Sequence, residues 1–121
     1  MFVVELDTTG QLLVLSVAGT VTADEAKETA ARVRDQLQDM APGFITLADF
    51  RWLESMSAAA APFIAEIMDA LAAKKVSAVV RVMPDPHKDI GLNILSHFHY
   101  GPEVRLMTFE TLADAIQALA D

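Results

Sequence analysis

Two serines near the middle of the chain precede an alanine-rich segment that is predicted to be helical. They are Ser55 and Ser57, in the stretch DFRWLESMSAAAAPF at residues 49–63. A hydroxyl at a helix N-terminus can carry a phosphate, because the helix dipole and the free N–H groups favour negative charge there. The same hydroxyl can instead cap the helix, which contributes about 1 kcal/mol. A cap is the favoured interpretation for Ser57, and phosphorylation of Ser57 or Ser55 is the alternative.

A group of charged and aromatic residues stands just before these serines. Asp49, Arg51, Trp52 and Glu54 follow a predicted buried strand, at its carboxyl end. In open α/β sheets ligands bind at this edge, and an indole beside mixed charges suits the lip of an apolar pocket. In the alternative interpretation Trp52 covers the edge of the core and Arg51 pairs with a surface acid.

The next predicted helix carries a broad apolar stripe: Phe63, Ile64, Ile67 and Met68. Such a stripe normally packs against a sheet. The functional alternative is that Phe63 and Ile67 line a groove for a partner or an acyl chain, which Phe98 and Met107 would extend. Methionine suits adaptable binding surfaces.

The histidines do not have the spacing of a metal site. His97 and His99 in HFHY stand two apart, so they do not share a helix face, and His87 lies in a preceding turn. No glycine-rich phosphate loop or nucleophile motif occurs either. We therefore expect no metal, no cofactor and no enzymatic activity. Asp49 and His99 are the residues to test if the protein is an enzyme.

Composition places further limits on function. The 121 residues fit one domain, 1–121, with 53% hydrophobic residues and a formal net charge of -8. An acidic chain without a basic stripe argues against nucleic-acid binding. The absence of cysteine, of a signal peptide and of a long apolar run predicts a cytoplasmic protein with no transmembrane segment. A homodimer would bury leftover apolar surface.

The hydrophobic pattern predicts the order β-β-α-β-α-β-α-β-α. The predicted strands are residues 2–6, 11–19, 44–50, 76–83 and 104–109. The predicted helices run from a capping box at Thr22 and Glu25 to Met40, from Ser57 or Pro62 to 75, over 89–98, and from 108 or 110 to the end. The fold class is α/β: a mixed five-stranded sheet with an N-terminal hairpin, then alternating α and β, and about four helices.

Apolar spacing also predicts which faces of the last two helices are apolar. Ile90, Ile94 and Phe98 stand four apart in the third helix. In the last helix, Leu112, Ile116 and Leu119 are predicted to face inward.

Three short motifs carry a resemblance: AGTVTADEA after the second strand, FITLAD in the third, and GPEVRLMTFETLADAIQALAD at the end. With them the whole chain resembles the STAS domain family, and more closely its SpoIIAA-like subgroup. Anti-sigma factor antagonists of that family carry a phosphorylated hydroxyl in a D-S-S/T-G step. Counting from Asp49 puts Ser57 at the aspartate of that step and Ala58 at the phosphoacceptor, and the glycine is missing.

The sequence thus predicts a non-catalytic regulatory or binding module. Its site would comprise residues 49–57, the start of the second helix and the loop 84–88. The ligand would be a protein partner or a small apolar molecule, since the resemblance also implies likeness to lipid-carrier domains. The alternative is a phosphorylation-switched anti-sigma factor antagonist, and a small enzyme is the third hypothesis.

Overall fold

The computed structural model describes residues 1–7, 9, 11–85 and 90–120, with the backbone alone at residue 90. The strands are β1 (Phe2–Leu6), β2 (Leu12–Val21), β3 (Ile45–Met56), β4 (Ala78–Val82) and β5 (Arg105–Phe109). The helices are α1 (Ala23–Leu37), α2 (Ala61–Ala73), α3 (Ile90–His99) and α4 (Leu112–Ala120), and a 3₁₀ turn at Ala58–Ala60 precedes α2. The predicted order of elements is confirmed.

The five strands form one mixed sheet in the order β1-β2-β3-β4-β5. β1 is antiparallel to β2, and every later pair is parallel. The predicted fold class is therefore confirmed. Helical crossovers are the connections that parallel neighbours require.

Two hydrophobic cores lie on the two faces of the sheet. The larger one is formed by α1, α2 and α3 against one face, and it includes Leu13, Leu15 and Val17 of β2. The smaller one lies under α4, around Val80 and Val82 of β4. All five residues of β4 are buried, as expected for a strand that is covered on both faces.

The first helix begins as the capping pattern predicts. The Thr22 hydroxyl accepts a hydrogen bond from the Glu25 backbone N–H at 3.2 Å. Ala26, Ala30 and Val33 then follow at helical spacing and are fully buried. Small side chains at the first two positions allow α1 to approach the sheet closely.

The third strand is longer than predicted. Residues 44–50 were expected, but β3 continues to Met56 because β2 also continues and pairs with it as far as Val21. β4 pairs with β3 only as far as Asp49. Arg51, which follows the predicted strand 44–50, therefore lies within β3 and not in a loop after it.

The predicted inward face of α4 is partly wrong, and two of the apolar residues that stand four apart in α3 are exposed. Ile94 and Phe98 are 56% and 77% exposed, and α3 instead buries Leu92 and Ser96. In α4, Ile116 is 52% exposed and Ala115 is fully buried. The small Ala115 lets α4 lie close to the sheet, which turns its neighbour Ile116 towards solvent.

None of the helices in the described ranges is long and apolar enough to cross a membrane.

Candidate functional site

A bulge in β3 brings Asp49 and Arg51 together. Ser16 of β2 pairs with Asp49, but Ala18 pairs with Trp52, so β3 holds one extra residue over this interval. The buried Asp49 carboxylate accepts the backbone N–H of Arg51 at 3.0 Å, and it accepts the Arg51 Nη2 at 2.9 Å. Hydrogen bonding to Asp49 raises the pKa of Arg51. Arg51 therefore pairs with the strand's own carboxylate and not with a separate surface acid.

Trp52 is a surface residue. Its side chain is 66% exposed, and the Arg51 guanidinium lies 5.6 Å from the centre of its ring. The interpretation from sequence in which Trp52 covers the edge of the core is therefore wrong. The structure brings Asp49, Arg51 and Trp52 together beside the bulge, with the Asp49 carboxylate buried and the Trp52 indole exposed.

An apolar groove of about 440 Å³ lies where β3 ends, between the 3₁₀ turn and the first half of α3. Its volume is in the range of small-molecule sites. Its lining residues are Leu53, Ser55, Met56, Ser57, Ala58, Ala61, Gly91, Leu92, Ile94 and Leu95. Sequence reasoning predicted the serines at this place but missed α3 as a wall, although the apolar run GLNIL was a signal for it.

Both serines of the opening motif line the groove. The Ser55 hydroxyl is hydrogen-bonded to the Thr20 hydroxyl at 3.1 Å. The exposed Ser57 hydroxyl accepts the backbone N–H of Ala59 at 3.3 Å and so caps the 3₁₀ turn.

Pro62 lies in the first turn of α2, where its missing N–H costs nothing.

The other predicted site residues lie outside the groove. Ile67 is buried in the larger core, and Phe63 is partly buried against the same core. Phe98 is exposed, and Met107 packs with α4 on the opposite face of the sheet, so neither extends the stripe of α2. Of the loop 84–88, residues 86–88 lie outside the described part of the chain.

Arg81 is a buried charge that the sequence analysis missed, although a lone cation in the run VSAVVRVM was a signal. Its guanidinium donates to the Asn93 Oδ1 at 3.0 Å, to the Leu92 carbonyl oxygen at 3.4 Å and to the Ser96 hydroxyl. These three acceptors belong to α3. Arg81 therefore connects α3, which forms one wall of the groove, to β4 of the sheet.

In the part of the chain that the structure describes, the histidines of α3 contact an aspartate and a phenylalanine. His99 Nδ1 lies 2.7 Å from Asp69 Oδ1 on α2, and His97 contacts Phe98 edge to face. Within the described ranges, no group of three or more His, Cys, Asp and Glu side chains is placed to hold a metal ion. His87 lies outside those ranges.

The fold is that of SpoIIAA-like proteins. One similar structure is that of an uncharacterised protein of the DUF3478 family from Shewanella loihica PV-4, which has a SpoIIAA-like fold. It has a TM-score of 0.72 and 18% sequence identity, and the match covers 98% of this chain and 92% of that one. The anti-sigma factor antagonist SpoIIAA in its unphosphorylated form has a TM-score of 0.66 and 16% sequence identity, and the match covers 99% of this chain and 98% of that one. An anti-sigma factor antagonist from Mycobacterium paratuberculosis has a TM-score of 0.62 and 21% sequence identity, and the match covers 100% of this chain and 94% of that one. Neither a family model nor a curated protein matches the sequence.

Proposed function

We propose that this domain is a non-catalytic binding module whose apolar groove receives an apolar group of a protein partner. The observation that carries this proposal is the groove itself, about 440 Å³ in volume and open at the junction of β3 and α2. Similarity of fold to anti-sigma factor antagonists supports a protein as the partner.

Exposed apolar side chains on α3 support the same conclusion. Ile94 lines the groove and is still 56% exposed. Phe98 stands one helical turn further and is 77% exposed. An apolar surface that continues out of a groove is typical of a protein interaction site.

The chemistry of the groove argues against catalysis there. None of its described lining residues is titratable. The two hydroxyls, of Ser55 and Ser57, are engaged with Thr20 and with the backbone of Ala59. A nucleophile needs a base within hydrogen-bonding reach, and these contacts supply none.

The protein partner can be tested by filling the groove. Ala58→Phe adds a ring at the exposed start of the 3₁₀ turn, and Ala113→Phe makes the same change on the exposed side of α4, across the sheet. Tagged wild type and both variants are compared by quantitative capture from an extract of the source cells. We expect Ala58→Phe alone to lose the partner, by at least about ten-fold, or about 1.4 kcal/mol. Equal capture by Ala58→Phe would contradict the proposal.

A small apolar ligand is the other occupant that suits this groove. Native mass spectrometry of the freshly purified protein, followed by denaturation, separates the two cases. A stoichiometric apolar molecule that is released from the wild type, and is missing from Ala58→Phe, would identify a ligand-binding module in place of a protein-binding one.

A phosphorylation switch is the second candidate function, and the exposed hydroxyl of Ser57 favours it. A phosphate there would stand at the mouth of the groove and at the first N–H groups of the following turn. We expect an anti-sigma kinase to label the wild type and Ser55→Ala but not Ser57→Ala. Ser57→Asp should abolish partner binding while the unfolding midpoint stays unchanged. Absence of labelling would contradict the switch for that kinase.

A further inference from the structure

A second, internal cavity lies between the sheet and the helices α2 and α3. It measures about 40 Å³ and is lined mainly by core side chains such as Leu15, Ile67 and Leu71. Leu92 separates it from the apolar groove, since this side chain lines both. Three residues with polar ends also line it: Thr46, Arg81 and Tyr100.

Thr46 provides the clearest indication that this cavity holds a polar partner. It is fully buried near the start of β3, and its hydroxyl has no hydrogen-bond partner within the described part of the chain. An unsatisfied buried hydroxyl is costly, and most such groups in native proteins are bonded to protein or to ordered water. The side chain lines the cavity, so a partner held there is within its reach.

Tyr100 and Arg81 supply further polar groups to the same space. Burial raises the pKa of Tyr100, while the positive charge of Arg81 lowers it in part, and the net shift is upward. Its hydroxyl therefore stays protonated at neutral pH and is able to donate a hydrogen bond. Arg81 is held towards α3 by Asn93 and Ser96 and adds positive charge beside the cavity.

We propose that the internal cavity is a hydration site, in which one or two ordered water molecules bridge the Thr46 hydroxyl to Tyr100 and Arg81. A buried water needs about 10–15 Å³ and two to four polar partners. The cavity of about 40 Å³ meets the first requirement, and Thr46, Arg81 and Tyr100, whose side chains line it, are the residues that would supply the polar partners. The waters would link the start of β3, β4 and the end of α3.

The sign of a stability change distinguishes a hydrated cavity from a dry one. Thr46→Val keeps the shape of the side chain and removes the hydroxyl. If water satisfies the hydroxyl, Thr46→Val lowers the melting temperature by about 3–6 °C, and Thr46→Ser keeps the hydrogen bond. If the cavity is dry, Thr46→Val raises the melting temperature, because a buried unpaired group has been removed.

Thr29 offers a matched control. It is also buried, but its hydroxyl donates to the Glu25 carbonyl oxygen at 2.8 Å. Thr29→Val therefore measures the loss of a satisfied hydroxyl in the same protein. We expect Thr46→Val and Thr29→Val to change the melting temperature in the same direction. Opposite signs, with Thr46→Val the more stable, would overturn the proposal.

A crystal structure gives the direct test. We expect water density within hydrogen-bonding distance of the Thr46 hydroxyl in the wild type and no such density in Thr46→Val. The double variant with Tyr100→Phe should be less destabilised than the sum of the single changes, because both remove the same bridge. Density for an apolar molecule, or no density, would overturn the proposal without bearing on the groove, whose capture test uses the separate variant Ala58→Phe.

Discussion

Asp49 accepts the backbone N–H of Arg51 and, from the same residue, the Nε and Nη2 hydrogens, at distances between 2.9 and 3.1 Å. One carboxylate therefore holds both the backbone and the side chain of the residue two positions later. This contact lies where β3 bulges away from the register of β2. The contact thus spans the bulge, after which β3 continues to the groove.

We expect Asp49→Ala to reduce the free energy of unfolding by about 1–3 kcal/mol, because it leaves the bulged backbone N–H without its acceptor. Urea unfolding followed by circular dichroism gives the value. Arg51→Ala is the control, since it keeps the bond between the Asp49 carboxylate and the backbone N–H, and it should cost less. A larger loss for Arg51→Ala than for Asp49→Ala would show that the side-chain pair, and not the bulge, matters.

The exposure of Trp52 predicts the fluorescence emission of the native protein. It is the sole tryptophan of the chain and is 66% exposed. We expect red-shifted emission and efficient quenching by acrylamide in the native protein, with little further change on unfolding. Trp52→Ala should alter stability by less than about 0.5 kcal/mol, as is usual for surface substitutions. Blue-shifted, poorly quenched emission would mean that another surface, such as a second copy of the chain, covers the indole.

The ionisation of Tyr100 predicts a loss of stability at alkaline pH. Burial raises its pKa in the folded protein, so the folded state holds the phenolic proton more tightly than the unfolded state does. The resulting stabilisation is fully present below the unfolded pKa of about 10 and is lost as the pH rises above it. We expect the free energy of unfolding to fall above about pH 10 in the wild type and to fall less in Tyr100→Phe.

Absorbance at 295 nm measures the same group directly, because Tyr100 is the sole tyrosine. The phenolate signal of the folded protein should appear at a higher pH than that of the urea-unfolded protein. Coincident titration curves would contradict the buried position of the hydroxyl.

The end of α2 offers a stabilising substitution. Lys75 has a φ of 68°, and its N–H donates to the Ala72 carbonyl oxygen while the Val76 N–H donates to that of Leu71. This is a Schellman motif with lysine where glycine is preferred. Lys75→Gly should raise the free energy of unfolding by about 1 kcal/mol, since glycine adopts this conformation without strain. Lys74→Gly, one residue earlier at a φ of -84°, should not stabilise, and a gain from it would refute this explanation.

Local signals in the sequence predicted the elements well. Two strand-like apolar segments on either side of a turn identified the hairpin, and the cap at Thr22 fixed the start of α1. The serine before the alanine block was correctly interpreted as a cap, although it begins a 3₁₀ turn and not α2 itself. Each of these features depends on residues within a few positions of one another, so the sequence carries the information directly.

The length of β3 and the inward side of α4 depend on contacts with other elements, which local sequence patterns do not reveal. β3 continues to Met56 because β2 accompanies it as far as Val21. Ala115, and not Ile116, faces the sheet because of how closely α4 lies on it. The same spacing of apolar residues is compatible with either rotation of a short helix.

The sequence by itself determined the α/β class, the order of the elements and the place of Ser55 and Ser57 near a helix start. Only the tertiary structure decided that these serines share a groove with Leu92 and Ile94, and that Arg81 and Thr46 lie beside one internal cavity. Residues more than thirty positions apart form each site. Their meeting depends on how the crossover helices pack on the sheet, and no local pattern encodes that geometry.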